Sequence, residues 1–120
     1  MKMYKNSVRG FTLVEIMIVV AIIGLLAAIA VPNFVKARTT AQMNACINNL
    51  RQIDGAIQQW ALEQKKAADA GVTHADVIPF LKNSVTCPAG GTTFEDSYTL
   101  TQVNAVPTCQ KVPDTHKLPP

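Results

Sequence analysis

The sequence is poor in the residues and spacings that build a catalytic centre. Its two histidines, His74 and His116, have no nucleophile or carboxylate at suggestive spacing, and no glycine-rich loop is present to hold a phosphate. Three cysteines occur, yet no C-x-x-C or H-x-x-x-H pair gives them a zinc-ligand pattern. Neither enzymatic activity nor a metal is therefore expected. Aromatics are sparse as well: from residue 11 onward there are only Phe11, Phe34, Trp60, Phe80, Phe94 and Tyr98, too few for electron conduction through stacked rings. A surplus of positive charge is lacking once position is considered. The chain has 11 Lys+Arg against 8 Asp+Glu, but Lys2, Lys5 and Arg9 precede Gly10, and without them eight bases face eight acids. No electrostatic footprint for nucleic acid is left.

What the sequence does contain is concentrated near the amino terminus. From Phe11 to Val31 only Thr12 and Glu15 are polar, a run of about the 20 apolar residues needed to cross a bilayer's hydrocarbon. The three cations before it resemble the n-region of a secretory signal. The cleavage geometry differs, because a signal peptide is cut behind small residues after the apolar run, whereas the natural cut here, Gly10, lies ahead of it. Cutting at Gly10 keeps the apolar segment. Glu15 within that segment needs a partner, since an ionised carboxylate in hydrocarbon is expensive unless paired. Snorkelling to the interface is the competing explanation.

The run Arg9-Gly10-Phe11-Thr12-Leu13-Val14-Glu15-Ile16, with Pro32 downstream, resembles the amino-terminal signature of type IV pilins and the pseudopilins of type II secretion. The resemblance implies cleavage between Gly10 and Phe11 by a prepilin peptidase, N-methylation of the new Phe11 amine, and assembly through an inner-membrane platform into a helical homo-oligomeric filament. It also implies a single-pass inner-membrane protein before assembly, its carboxy-terminal domain extracytoplasmic, and a periplasmic or cell-surface filament afterwards. The cation expected for Glu15 is then the Phe11 amine, its own or, in preference, that of a neighbouring subunit, a pairing that fixes axial register. Gly24 and Ala28 form a small-xxx-small pair that lets helices approach closely.

Five segments follow: a leader at 1–10, a transmembrane or filament-core helix at 11–31, its amphipathic continuation at 32–70, a small domain with a short helix and a β-hairpin region at 71–109, and a disordered tail at 110–120. The continuation is read from Met43, Cys46, Ile47, Leu50, Ile53, Ile57, Trp60 and Ala61, spaced by threes and fours, with Gln42, Asn49 and Gln58 among the residues mostly on the other side. Pro32 need not end a membrane-type helix. Gly71 is the expected terminator. Thr73 is the N-cap of a short helix that Pro79 interrupts or restarts. From Val85 onward the signals turn to β structure, with turns at Pro88 to Gly91 and Asn104 to Pro107 around the alternating run Tyr98 to Val103. The fold class is α+β, a long amino-terminal helix packed on a small antiparallel sheet. The tail, with Pro113, Pro119 and Pro120, has little to bury.

An extracytoplasmic domain of this size benefits from a crosslink. A Cys87–Cys109 bridge would pin the last strands and contribute roughly 3 kcal/mol on the chain-entropy estimate. Cys46, on the apolar stripe, is an alternative partner for either, or a buried thiol acting as a small hydrophobe, and sequence does not choose among three single bridges. Major pseudopilins resemble one another in a carboxy-terminal calcium loop. Only Glu95, Asp96 and Asp114 are available here, so calcium is unsupported and no cofactor is expected. The leading expectation is a structural subunit, a small pilin or major-pseudopilin-like protein. The alternatives are a minor tip subunit that binds exported protein or DNA, and a simple membrane anchor for an extracytoplasmic domain. The presence of Glu15 favours an incorporated, repeated subunit.

Overall fold

The structure, a computed structural model, describes residues 10–119. The leader cations Lys2, Lys5 and Arg9, and Pro120, lie outside the described residues. Helix α1 spans Leu13–Glu63, α2 His74–Val77, α3 Phe94–Ser97, and the strands are β1 Tyr98–Thr99 and β2 Thr108–Cys109. The chain divides into two compact units, one ending at Ala37 and one beginning at Arg38.

In the first unit α1 starts at Leu13, and the helix continues through Pro32. Its apolar residues have no cover from the described residues: an 18-residue window of α1 with mean hydropathy 2.9 is 0 % buried. This is the one helix among the described residues that is long and apolar enough to cross a membrane. A bare apolar surface of that extent marks a membrane or protein contact.

In the second unit the expected stripe of α1 is the core. Cys46, Leu50, Ile53, Ala56, Ile57, Trp60 and Ala61 are buried, at the three- and four-residue steps that place them on one helical face. They pack with Val72, Val77, Val85, Cys87, Phe94, Tyr98, Val103 and Cys109. Several polar residues of α1 reach the domain's loops rather than solvent alone. Gln42 Nε2 donates to the Pro88 carbonyl, Asn49 Nδ2 to the Thr86 carbonyl, and Gln58 Nε2 to the Val103 carbonyl, at 3.2, 3.1 and 3.0 Å.

The helix ends at Glu63, not near residue 70 as its sequence pattern suggested. Lys65 adopts the left-handed conformation at φ 54°, and the Lys66 and Lys65 amides donate back to the Ala61 and Leu62 carbonyls at 2.8 and 3.4 Å. That is a Schellman stop with lysine where glycine is usual. The Lys66 ammonium, 5.7 Å from the Trp60 ring centre, adds a cation–π contact to the same turn. Gly71 instead forms an isolated antiparallel bridge with Gln102.

Thr73 precedes α2, where the Asp76 carboxylate accepts from the Thr73 amide and hydroxyl at 3.0 and 2.7 Å. Pro79 then lies in a 3-10 turn, Ile78–Phe80, so it restarts rather than extends the helix. The stretch read as β from Val85 instead contains α3, which Thr93 caps by accepting the Asp96 amide at 3.2 Å. The sheet is smaller than the alternating run suggested. Two strands pair antiparallel in the register Tyr98↔Cys109 and Thr99↔Thr108, and Thr101 and Val103 turn to bond the segment 70–72. The tail departs from the expected disorder: His116 is buried, its amide donates to the Val112 carbonyl at 3.0 Å, and Leu118 packs against the core.

Candidate functional site

The amino-terminal site begins at Gly10, an exposed residue ahead of α1, followed by Phe11, which is 84 % exposed. Thr12 and Glu15 then close a capping box. Glu15 Oε2 accepts the Thr12 amide at 3.3 Å, and Thr12 Oγ1 accepts the Glu15 amide at 3.2 Å. The signal for it was in the sequence as T-x-x-E, which the reading of Glu15 as a charge in an apolar run passed over. The carboxylate is exposed and at the positive end of the helix dipole. Gly24 is exposed, and a side chain built on it meets nothing within 4 Å. With Pro32 it lies within α1, as does Glu15, whereas Gly10 and Phe11 precede the helix.

In the second unit the structure brings together residues that the sequence kept apart. Cys46 comes from α1, Cys87 from the loop before α3, Cys109 from β2 and His116 from the tail. The Sγ atoms of Cys87 and Cys109 are 3.4 Å apart, and those of Cys46 and Cys87 are 3.8 Å apart. All three are free thiols. One ring nitrogen of His116 joins them, and the four ligand-type atoms lie within 4.8 Å of one another. All four residues are buried. His116 Nδ1 has no hydrogen-bond partner among the described residues. Tyr98, fully buried beside this cluster, accepts from Asn49 Nδ2 at 3.1 Å.

Burial pushes the Cys46 thiol up to about 12, against a lowering contact from the Tyr98 hydroxyl. It also raises Cys87. At Cys109 burial pushes in the same direction but is outweighed by the Val112 amide, the neighbouring thiols and the Lys111 amide, and the thiol is lowered. The loop carrying Cys87 is held by the Gly90 and Gly91 amides, which donate to the Cys87 carbonyl at 3.3 and 2.8 Å, and by Ser97 Oγ, which accepts the Cys87 amide at 3.0 Å. Gly91 has no room for a side chain, since a Cβ there would overlap Ser97 Oγ and come within 2.7 Å of the Cys87 nitrogen. Sequence reasoning missed the cluster because residues drawn from four segments leave no short spacing to find. The turn Cys87-Pro88-Ala89-Gly90-Gly91 was the one local signal.

Residues 5–31 match the family described as the prokaryotic N-terminal methylation motif. The chain is 46 % identical over 61 residues to the type IV major pilin protein PilA of Myxococcus xanthus, covering 51 % of this chain and 28 % of that protein. It is 35 % identical over 97 residues to the fimbrial protein EcpC of Eikenella corrodens, covering 75 % of this chain and 61 % of that one. Against the type II secretion system core protein G of Klebsiella pneumoniae it is 36 % identical over 58 residues, 48 % of this chain and 41 % of that protein. The matched regions thus span less than two thirds of these relatives' length. No solved structure matches the chain.

Proposed function

Because the chain belongs to the type IV pilin and pseudopilin family, we propose that it is a structural subunit of a type IV pilus-like filament. In this reading a prepilin peptidase cuts between Gly10 and Phe11, the new Phe11 amine is methylated, and α1 anchors the subunit in the inner membrane until an assembly platform draws it into the filament. The role is structural rather than enzymatic.

The observation that carries the reading is the uncovered apolar surface of α1 with one acid in its first turn. Leu13, Leu25 and Leu26 are 78, 65 and 60 % exposed. At about 25 cal/mol per Å² of apolar area, so long a surface is not left in water. Lipid covers it before assembly, and the same helix of other copies covers it afterwards. Glu15 has its Thr12 cap within the chain, but a cap does not neutralise charge. In a low-dielectric helix bundle the Phe11 amine of a neighbouring subunit does so, which makes an unpaired Glu15 the penalty for staying unassembled.

Mass spectrometry of the amino-terminal peptide from membrane-derived protein tests this. The expected species begins at Phe11 with one methyl group on its amine. A chain still beginning at Met1, or an unmethylated Phe11, would contradict the proposal and leave a simple membrane anchor in its place.

A further inference from the structure

We propose that Cys46, Cys87, Cys109 and His116 bind one zinc ion, which holds the second unit together. Three sulfurs and one imidazole nitrogen are a complete ligand set for a closed structural zinc site. Their spacing fits it: zinc–sulfur bonds of about 2.3 Å in a tetrahedron put sulfurs about 3.8 Å apart, and the observed separations are 3.8 and 3.4 Å. All four ligand-type atoms lie within 4.8 Å of one another. The four residues are 0, 1, 2 and 3 % exposed, leaving no open coordination position for a substrate.

The polar accounting points the same way. His116 Nδ1 is buried without a partner among the described residues, a vacancy that costs about 1–3 kcal/mol unless something fills it. A disulfide does not fill it. Any single bridge uses two of the three sulfurs and leaves the third thiol and the imidazole as they are. One metal ion occupies all four.

The surroundings suit thiolates. Binding releases three thiol protons to solvent and leaves three negative sulfurs against two positive charges on the metal, so the site carries a net negative charge that needs hydrogen-bond donors. The Ala89 amide is directed at Cys87, the Val112 and Lys111 amides at Cys109, and the Tyr98 hydroxyl at Cys46. Asn49 Nδ2 in turn donates to the Tyr98 oxygen. Outer hydrogen-bond partners of this kind orient the ligating side chains of a metal site. A thiolate-rich set with one imidazole and no open position favours zinc over calcium or magnesium, which take oxygen ligands.

The site also explains how so little regular structure holds together. The strands are two residues each, and the ligands come from α1, the loop before α3, β2 and the tail. A metal joining those segments supplies the crosslink that a small domain needs. This assignment is independent of filament assembly.

The test uses the full chain, purified in detergent without chelator. Elemental analysis is expected to give about one zinc per chain, with all three cysteines unavailable to alkylation until the metal is removed. Metal-free, reduced chain titrated with cobalt(II) should show thiolate-to-cobalt charge transfer and the visible bands of tetrahedral cobalt. Cys109→Ser and His116→Gln should weaken cobalt binding by about 100-fold or more, and Tyr98→Phe, which retains every ligand, by about 10-fold. A chain isolated without zinc and carrying a disulfide between any two of the cysteines overturns the proposal. So does a stoichiometric load of iron or copper, or a wild-type chain whose cobalt spectrum lacks the thiolate band.

Discussion

Thr12 and Glu15 cap each other across the first turn of α1, with the Thr12 amide donating to Glu15 Oε2 at 3.3 Å and the Glu15 amide to Thr12 Oγ1 at 3.2 Å. In the proposed filament that side chain has a second job besides the cap. Holding the helix start requires only an acceptor oxygen at position 15, whereas bonding a neighbour's terminal amine in an apolar bundle requires the charge.

Glu15→Gln keeps the acceptor and removes the charge. We predict that cleavage at Gly10 and the helix content by circular dichroism are unchanged, while the amount of this chain in sheared filaments falls by at least tenfold. Wild-type filament yield together with a normally methylated Phe11 would show that the charge has no part in assembly.

Two leucines on the same helix should behave differently. Leu50 is fully buried in the core, and Leu50→Ala is expected to cost about 2–5 kcal/mol of stability in chemical unfolding. Leu26 is 60 % exposed, so Leu26→Ala should leave that unfolding transition within about 0.5 kcal/mol and reduce filament yield instead. The paired measurement is Trp60 fluorescence during denaturation and the sheared-filament fraction.

Gly91→Ala places a methyl group against Ser97 Oγ and the Cys87 backbone. Overpacking of this kind costs about 1–3 kcal/mol. A lowered thermal midpoint of the full chain in detergent is expected, and an unchanged midpoint would mean that the Cys87 loop is freer than its hydrogen bonds indicate.

Asp96 gives the domain an acid dependence. Its carboxylate accepts from the Thr92 amide at 3.1 Å, the Thr93 amide at 3.0 Å and the Thr92 hydroxyl, and the Thr92 and Thr93 contacts hold it well below its ordinary value of 3.8. A carboxyl depressed on folding stabilises fully above its unfolded value and loses that contribution as pH falls through the folded value. The thermal midpoint should therefore drop as pH is lowered below about 3.8, and Asp96→Asn should flatten that drop. Asp76, lowered by Thr73, leaves a residual slope. An identical acid profile for wild type and Asp96→Asn would remove Asp96 from this role.

The parts of the molecule legible in the sequence are those set by local pattern. Arg9 to Val31 is a contiguous signature, and the steps Cys46, Leu50, Ile53, Ile57 and Trp60 repeat one helical face. Where α1 stops was not legible, because Lys65 supplies a left-handed turn that glycine ordinarily marks, and the bonds that fix it are visible only in three dimensions. The run Tyr98 to Val103 alternates like a strand, yet only Tyr98 and Thr99 pair with β2, since Gln102 is taken by Gly71. The tail looked to have little to bury because three of its eleven residues are proline and most of the others are polar. Yet His116 is buried and Leu118 packs against the core, and the cysteines grouped with His116 are 7, 29 and 70 residues away in sequence.

The central property proposed for this chain is its repeated incorporation into a filament. Immunogold labelling of sheared surface and periplasmic filaments with antibody against residues 38–119 measures that directly. Labels spaced along the filament length are predicted, and they should vanish with Glu15→Gln. Filaments labelled only at one end, or a chain confined to the membrane fraction while filaments are present, would contradict the account.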